Sequence, residues 1–133
     1  MINYPEKDIY TYDDLVDILR ILRAPGGCPW DREQTHESNR RNFLEEAYEA
    51  AEAFDLDDPE LMKEELGDVL FAAVKVGRFC GVDPEAALSK TCEKFIARFR
   101  KVEETVNARG EDMSALPLDE LMALWNDAKE QLR

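Results

Sequence analysis

Two pairs of acidic residues with helical spacing are the feature of this sequence most suited to chemistry. Glu46 is followed by Glu49, and Glu65 by Asp68, each after three positions. At about 100° per residue, this spacing puts both carboxylates of a pair on one helix face. In each predicted helix, the face that carries the carboxylates borders an apolar stripe. In the helix of Glu46 and Glu49, this stripe consists of Phe43, Ala47, Ala50 and Phe54. Such carboxylates repel one another and lose hydration, so a cation should compensate them.

Four carboxylates from two facing helices suit Mg²⁺, with Mn²⁺ as a substitute, because both ions prefer oxygen ligands. A di-iron bundle would add histidine in E-x-x-H pairs, and neither pair contains one. In a chain this acidic, the same spacing also occurs on solvated, salt-bridged helix edges. Spacing alone therefore leaves both interpretations open.

Four cationic residues recur at helical spacing and form a row on one face of a later predicted helix: Lys90, Lys94, Arg98 and Lys101. One interpretation is pairing within the helix, such as Glu93 with Lys90, which contributes little to stability. The other is a clamp for phosphate groups, in which Arg98 donates through its two-pronged guanidinium and Lys94 acts as a point charge.

The elements that must position these residues are helices, because proline and glycine cut the chain into helical lengths and β-branched alternation is missing. Five helices are predicted, at about residues 12–23, 40–55, 59–80 and 84–107, and a short one from about 118. The segment around Cys28-Pro29-Trp30-Asp31 is predicted to be an ordered loop. Short turns between the three central helices predict an all-α, antiparallel bundle. Residues 1–133 are expected to form one domain.

The composition excludes several classes of protein. The chain has 133 residues, with 30 Asp and Glu against 17 Lys and Arg, for a net charge of -13. This field disfavours nucleic acid and anionic membranes as partners. The N-terminus lacks an apolar signal segment, so a cytoplasmic location is expected. The three cysteines form no C-x-x-C pair, and we expect small, buried free thiols rather than a zinc site.

Five segments of the sequence resemble the MazG family of nucleoside triphosphate pyrophosphohydrolases. They are G-C-P-W-D (27–31), N-F-L-E-E-A-Y-E (42–49), E-E-L-G-D (64–68), K-F-I-A-R-F (94–99) and L-D-E-L-M-A-L-W (118–125). The resemblance extends from about Leu15 to Lys129. The family signature is E-E-x-x-E, followed after fifteen residues by E-x-x-D. The sequence is identified on these motifs as a member of this family.

The resemblance implies an all-α, commonly dimeric fold that cleaves a nucleoside triphosphate between its α and β phosphates. It assigns the metal ligands to these positions: Glu46, Glu49, Glu65 and Asp68. It assigns nucleotide contacts to a second set: Lys94, Arg98, Trp125 and Lys129. Asn42 and Glu45 border the metal motif. Leu61 departs from the pattern, because some members place a substrate-contacting lysine there.

In the implied mechanism, Mg²⁺ held by the four acids neutralises phosphate charge and activates a water. Lys94 and Arg98 would stabilise the departing pyrophosphate. Glu45 is the candidate for orienting or deprotonating the water, although it could equally be a metal ligand or an exposed acid. Trp30 and Trp125 are either core residues or stacking platforms for a base.

Two further classes of function stay open from the sequence. One is a non-catalytic helical dimer that acts as a regulatory or interaction module, against which the intact acidic and cationic motifs argue. The other is a relative within the same superfamily, specific for dUTP or phosphoribosyl-ATP. In each case a homodimer or higher oligomer is expected, because apolar residues cover broad arcs of the helices. These residues are Phe71, Val74, Phe79, Phe95, Ile96 and Phe99.

Overall fold

The computed structural model describes residues 2–133, which form helices and no β-strand, so the predicted all-α class is confirmed. The helices are α1 (Tyr12–Arg23), α2 (Pro29–Arg32), α3 (His36–Asp55), α4 (Pro59–Phe79), α5 (Pro84–Ala108) and α6 (Leu118–Gln131), with a 3₁₀ turn at Met113–Ala115. None of these helices is both long and apolar enough to cross a membrane. The antiparallel bundle stays a prediction.

The start of α3 and the whole of α2 differ from the predicted boundaries. Helix α3 begins four residues early because Thr35 and Ser38 cap it reciprocally: the Ser38 backbone N–H donates to Thr35 Oγ1 and the Thr35 N–H to Ser38 Oγ. A serine in place of the usual Glu or Gln hides this cap in the sequence. The loop segment 29–32 forms one turn of helix, which starts at Pro29.

The chain divides into two compact units, which separate after Pro84. In the first unit, α3 and α4 make the most extensive contact between helices, and α1 packs on α2 and α4. Three residues, 56–58, join α3 to α4. Asp57 has a φ of 51°, and Asp58 caps α4 by accepting from the backbone N–H groups of Glu60 and Leu61.

The contact face of α3 and α4 is not the predicted apolar stripe. Ala53 and Ala72 are fully buried, whereas Phe43 and Ala47 are exposed and the Phe54 side chain is 76% exposed. The alanines lie on the carboxylate side of each helix. The carboxylates therefore line the contact between the helices rather than border it. The expectation of buried thiols is also wrong, because Cys80 and Cys92 are exposed and Cys28 is half-buried.

The second unit contains α5 and α6, which share a small apolar core. Its buried residues are Val102, Val106, Leu124 and Ala128. Trp125 packs against this core, and its ring centroid lies 5.3 Å from that of Phe95. Phe95 stacks in turn on Phe99, with centroids 6.0 Å apart. These aromatic contacts place Trp125 at the edge of the core.

A buried carboxylate at the start of α1 makes the stability of the first unit depend on pH. Asp14 accepts hydrogen bonds from Lys7 Nζ and from the backbone N–H and hydroxyl of Thr11. These bonds lower the pKa of Asp14 from 3.8 to about 2. The stabilisation is complete above pH 3.8 and is lost as the pH falls towards 2.

We predict that Asp14→Asn lowers the urea midpoint of unfolding at pH 7, and that its difference from the wild type vanishes between pH 4 and 2. Asp13→Asn is the matched control, because Asp13 shares the first turn of α1 but is exposed. Urea titrations followed by circular dichroism at a series of pH values measure both. Equal midpoints for the wild type and Asp14→Asn at pH 7 would contradict the capping role.

Candidate metal centre

Three of the four predicted metal ligands converge between α3 and α4. Glu46, Glu49 and Glu65 each offer a carboxylate oxygen, and these oxygens lie within 4.8 Å of one another. Glu49 and Glu65 are equally distant along the chain from Asp57, in the turn between the helices. The contact between α3 and α4 on either side of this turn brings the two residues close together.

The Glu65 carboxylate is the most perturbed of the group. It is half-buried, and its Oε2 atom is buried without a hydrogen-bond partner. Loss of hydration is the main reason that the pKa of Glu65 is raised, followed by the negative charge of Glu49 and then Asp68. A buried acceptor without a donor, in a field of like charge, fits a cation as its missing partner.

Asp68 lies on the same stripe of α4, one turn beyond Glu65, and its side chain is exposed. It is outside the group of three, although its charge contributes to the raised pKa of Glu65. The structure therefore brings Glu46, Glu49 and Glu65 together and leaves Asp68 at their edge.

Asn42 and Glu45, the two residues that border the metal motif, have different surroundings. Asn42 Nδ2 donates to Glu46 Oε1 at 3.1 Å, which orients that carboxylate. Glu45 is exposed and lines a neighbouring cavity. The donor set consists of carboxylate oxygens without imidazole or thiolate, and this chemistry suits Mg²⁺ or Mn²⁺.

The neighbouring cavity has a volume of about 430 Å³ and lies within the first unit. Its lining is polar apart from one aromatic ring: Trp30, Gln34, Thr35, Glu37, Ser38, Arg41, Asn42, Glu45 and Lys75. Trp30 is 75% exposed, so it is not a core residue. Sequence reasoning missed Arg41 and Lys75. Lys75 could have been found, because it continues the α4 stripe of Glu65 and Asp68 at helical spacing.

The remaining predicted site residues belong to the second unit. Lys94 and Lys129 are exposed, and Trp125 is half-buried. Arg98 is half-buried, and its Nε–H is buried without an acceptor. Across the described residues, none of the four cations in the α5 row has a carboxylate oxygen within 4.0 Å. Intrahelical pairing, such as Glu93 with Lys90, is therefore not seen, and these cations are available to an anion.

We predict that Glu65→Gln stabilises the metal-free protein at pH 7, since it removes a poorly hydrated charge from among like charges. Because the folded state raises the pKa of Glu65, ionisation of this group disfavours folding. The difference from the wild type should shrink as the pH falls through the raised pKa of Glu65 towards the ordinary value of 4.5, because the folded carboxyl is then protonated. Urea titrations in chelator at pH 7 and pH 5 measure this effect.

Glu52→Gln is the matched control, because Glu52 is an exposed acid on α3. It should leave the midpoint of unfolding nearly unchanged at both pH values. A Glu65→Gln protein less stable than the wild type in chelator at pH 7 would contradict the electrostatic account of the cluster.

Known proteins resemble the chain in both sequence and structure. The family model of the MazG nucleotide pyrophosphohydrolase domain matches residues 34–103. A nucleoside triphosphate pyrophosphohydrolase/pyrophosphatase MazG from Thermotoga maritima is 52% identical over 63 residues, which cover 47% of this chain and 25% of that protein. A nucleoside triphosphate pyrophosphohydrolase from Escherichia coli K12 is 43% identical over 84 residues, which cover 63% of this chain and 31% of that protein.

Among solved structures, the crystal structure of a mazG-related protein from Thermotoga maritima matches with a TM-score of 0.62 and 28% identity. The match covers 89% of this chain and 98% of that one. The chain spans about a quarter to a third of the length of the curated relatives named above. Because the family model covers more than half of this sequence, the chain belongs to the MazG nucleotide pyrophosphohydrolase domain family.

Proposed function

We propose that this protein hydrolyses nucleoside triphosphates between the α and β phosphates, giving a nucleoside monophosphate and pyrophosphate with Mg²⁺ or Mn²⁺ as cofactor. The observation that carries the proposal is the convergence of Glu46, Glu49 and Glu65 within 4.8 Å beside a polar cavity. Family membership supports the same activity. We also propose that residues 1–133 act as one domain, since the family match continues from the first unit into the second.

Glu46, Glu49, Glu65 and Asp68 are the residues that would hold the metal. When bound, a divalent cation stabilises negative charge on phosphate oxygens and lowers the pKa of a coordinated water. Asn42 holds the Glu46 carboxylate in place through its 3.1 Å hydrogen bond. Glu45 faces the cavity and accepts a proton from the attacking water in this scheme.

The α5 cations provide positive charge for the leaving group. Lys94 and Arg98 bind the pyrophosphate in this proposal, and the unsatisfied Nε–H of Arg98 supports an anionic partner. Trp125 and Lys129 contribute nucleotide contacts, as family membership suggests. Trp30, whose ring is exposed at the cavity, contributes a stacking face for the base.

Hydrolysis in ¹⁸O-labelled water tests the position of bond cleavage. We expect the label in the monophosphate, because water attacks the α phosphorus and pyrophosphate departs. Mass spectrometry of both products, with Mg²⁺ present, measures the distribution of the label. Orthophosphate as the first product, or activity that persists in excess chelator, would overturn the proposed function.

Variants at the metal ligands test the role of the carboxylates, and an exposed acid on α3 provides the control. Glu49→Gln and Asp68→Asn should each lower turnover by more than about 100-fold, since even hydrogen-bond partners of metal ligands are worth about 10–100-fold. Glu52→Gln, an exposed acid on the same helix as Glu49, should retain wild-type turnover. Circular dichroism should show that all three variants keep their helical content.

We further propose a homodimer or higher homo-oligomer, because large apolar side chains are exposed within each unit. Tyr48 on α3 is 71% exposed, and Leu70 on α4 and Phe95 on α5 are also exposed. Two of the residues expected to be surplus, Val74 and Phe79, are covered within the chain, since Val74 is buried and Phe79 is half-buried. The others stay exposed: Phe71, Phe95, Ile96 and Phe99.

Light scattering across a dilution series should give a mass of at least twice 15.3 kDa under the conditions in which the protein is active. Mixing Asp68→Asn chains with Arg98→Ala chains then asks whether sites are shared. Recovered activity in the mixture would show that two chains contribute to one site. A mass of 15.3 kDa with undiminished activity per chain would refute the oligomer.

A further inference from the structure

Lys75 is a cation in the cavity that the proposed reaction does not use. It is half-buried, and among the described residues no carboxylate oxygen lies within 4.0 Å of its ammonium group. The other cation of the cavity, Arg41, is paired with Glu37 at 3.4 Å. Lys75 is therefore a charged donor of the cavity that has no carboxylate partner.

The cavity continues the metal centre along both helices. On α3, Ser38 and Asn42 precede Glu46 at intervals of four residues, so Ser38 lies about 12 Å from Glu46 along the axis. On α4, Lys75 lies two turns beyond Asp68 on the same stripe and about 15 Å along the axis from Glu65. A nucleotide with its phosphates at the carboxylates can extend its ribose and base into the cavity, and the base then lies near Lys75.

Two other polar side chains of the cavity, Gln34 and Asn42, already have partners. The Gln34 side chain donates to the Trp30 carbonyl at 3.3 Å and accepts from the Ser38 hydroxyl at 2.8 Å. Asn42 donates to Glu46. A base that enters the cavity therefore meets Lys75 as an unpaired group, which has three N–H donors and no acceptor.

This donor distinguishes between the two chemical types of base edge. Guanine presents O6 and N7 as acceptors on one edge, whereas adenine presents an amino donor beside N7. Thymine and cytosine differ in the same way, through a carbonyl oxygen or an amino group. An ammonium group has no acceptor, so it cannot accept a hydrogen bond from an amino group. Its positive charge also repels the partial positive charge on the amino hydrogens.

We propose that Lys75 is a specificity-determining residue that favours bases with a carbonyl oxygen on this edge over bases with an amino group. The proposal rests on the proposed function, because it takes the nucleotide phosphates to lie at the metal centre. It places the 6-oxopurines above adenine, and uracil above cytosine.

The test compares kcat/KM for ITP and ATP, and for UTP and CTP, in the wild type and in Lys75→Met. We expect the wild type to prefer ITP and UTP, and the substitution to lower each preference by about tenfold, the size expected when one charge-assisted hydrogen bond is lost. Lys75→Arg should keep most of the preference, because arginine retains N–H donors. Lys63→Met, at an exposed lysine of α4 outside the cavity, should leave both ratios unchanged.

Two outcomes would overturn the proposal. Unchanged ratios in Lys75→Met would show that Lys75 does not contact the base. An equal loss of kcat/KM for all four nucleotides would place Lys75 on the phosphates or in a structural role.

Calorimetric binding of IMP and AMP in the presence of Mn²⁺ separates this proposal from the proposed function. A wild type that hydrolyses no triphosphate would refute the proposed function, and a preference for IMP that disappears in Lys75→Met would still support the base contact. Equal binding of IMP and AMP to the wild type would refute the base contact even if hydrolysis occurs.

Discussion

Repulsion among carboxylates in the contact between α3 and α4 is the constraint on which the rest of this structure depends. Three carboxylates lie within 4.8 Å, and the residues buried beside them are the small alanines Ala53 and Ala72. Apolar burial at this contact is therefore modest. The cap at Asp58 stabilises the turn locally, but it does not neutralise the cluster. The cation of the proposed function would compensate this repulsion.

The same arrangement accounts for the apolar outer surface. In an ordinary helical bundle, the large apolar side chains face the neighbouring helix. Here acids and alanines occupy that face, so residues such as Tyr48, Phe54 and Leu70 are left on the outside. Carboxylates between the helices and apolar side chains on the outside are thus two consequences of one choice of helix face.

Local signals made most of the fold predictable from the sequence. Thr11 and the Asp58-Pro59 pair mark helix starts through backbone hydrogen bonds, and the corresponding helices begin where predicted. The contact face of α3 and α4 was not predictable, because an apolar stripe indicates burial without indicating which surface covers it. Helical spacing from Asp68 was a signal for Lys75, but that this part of α4 borders a cavity depends on how α3 and α4 are aligned, which motif spacing does not encode.

Charge along the two aligned stripes changes sign from one end to the other. Carboxylates occupy the end near Asp57, and Lys75 occupies the far end, beside the paired Arg41. In the proposed function, the uncompensated acids would repel a triphosphate from Glu46 and Glu65, whereas Lys75 would attract it. A cation held by the acids would favour the phosphate groups at that end and leave Lys75 to a neutral base with acceptor oxygens. The proposed orientation of the nucleotide would therefore depend on prior neutralisation of the carboxylates.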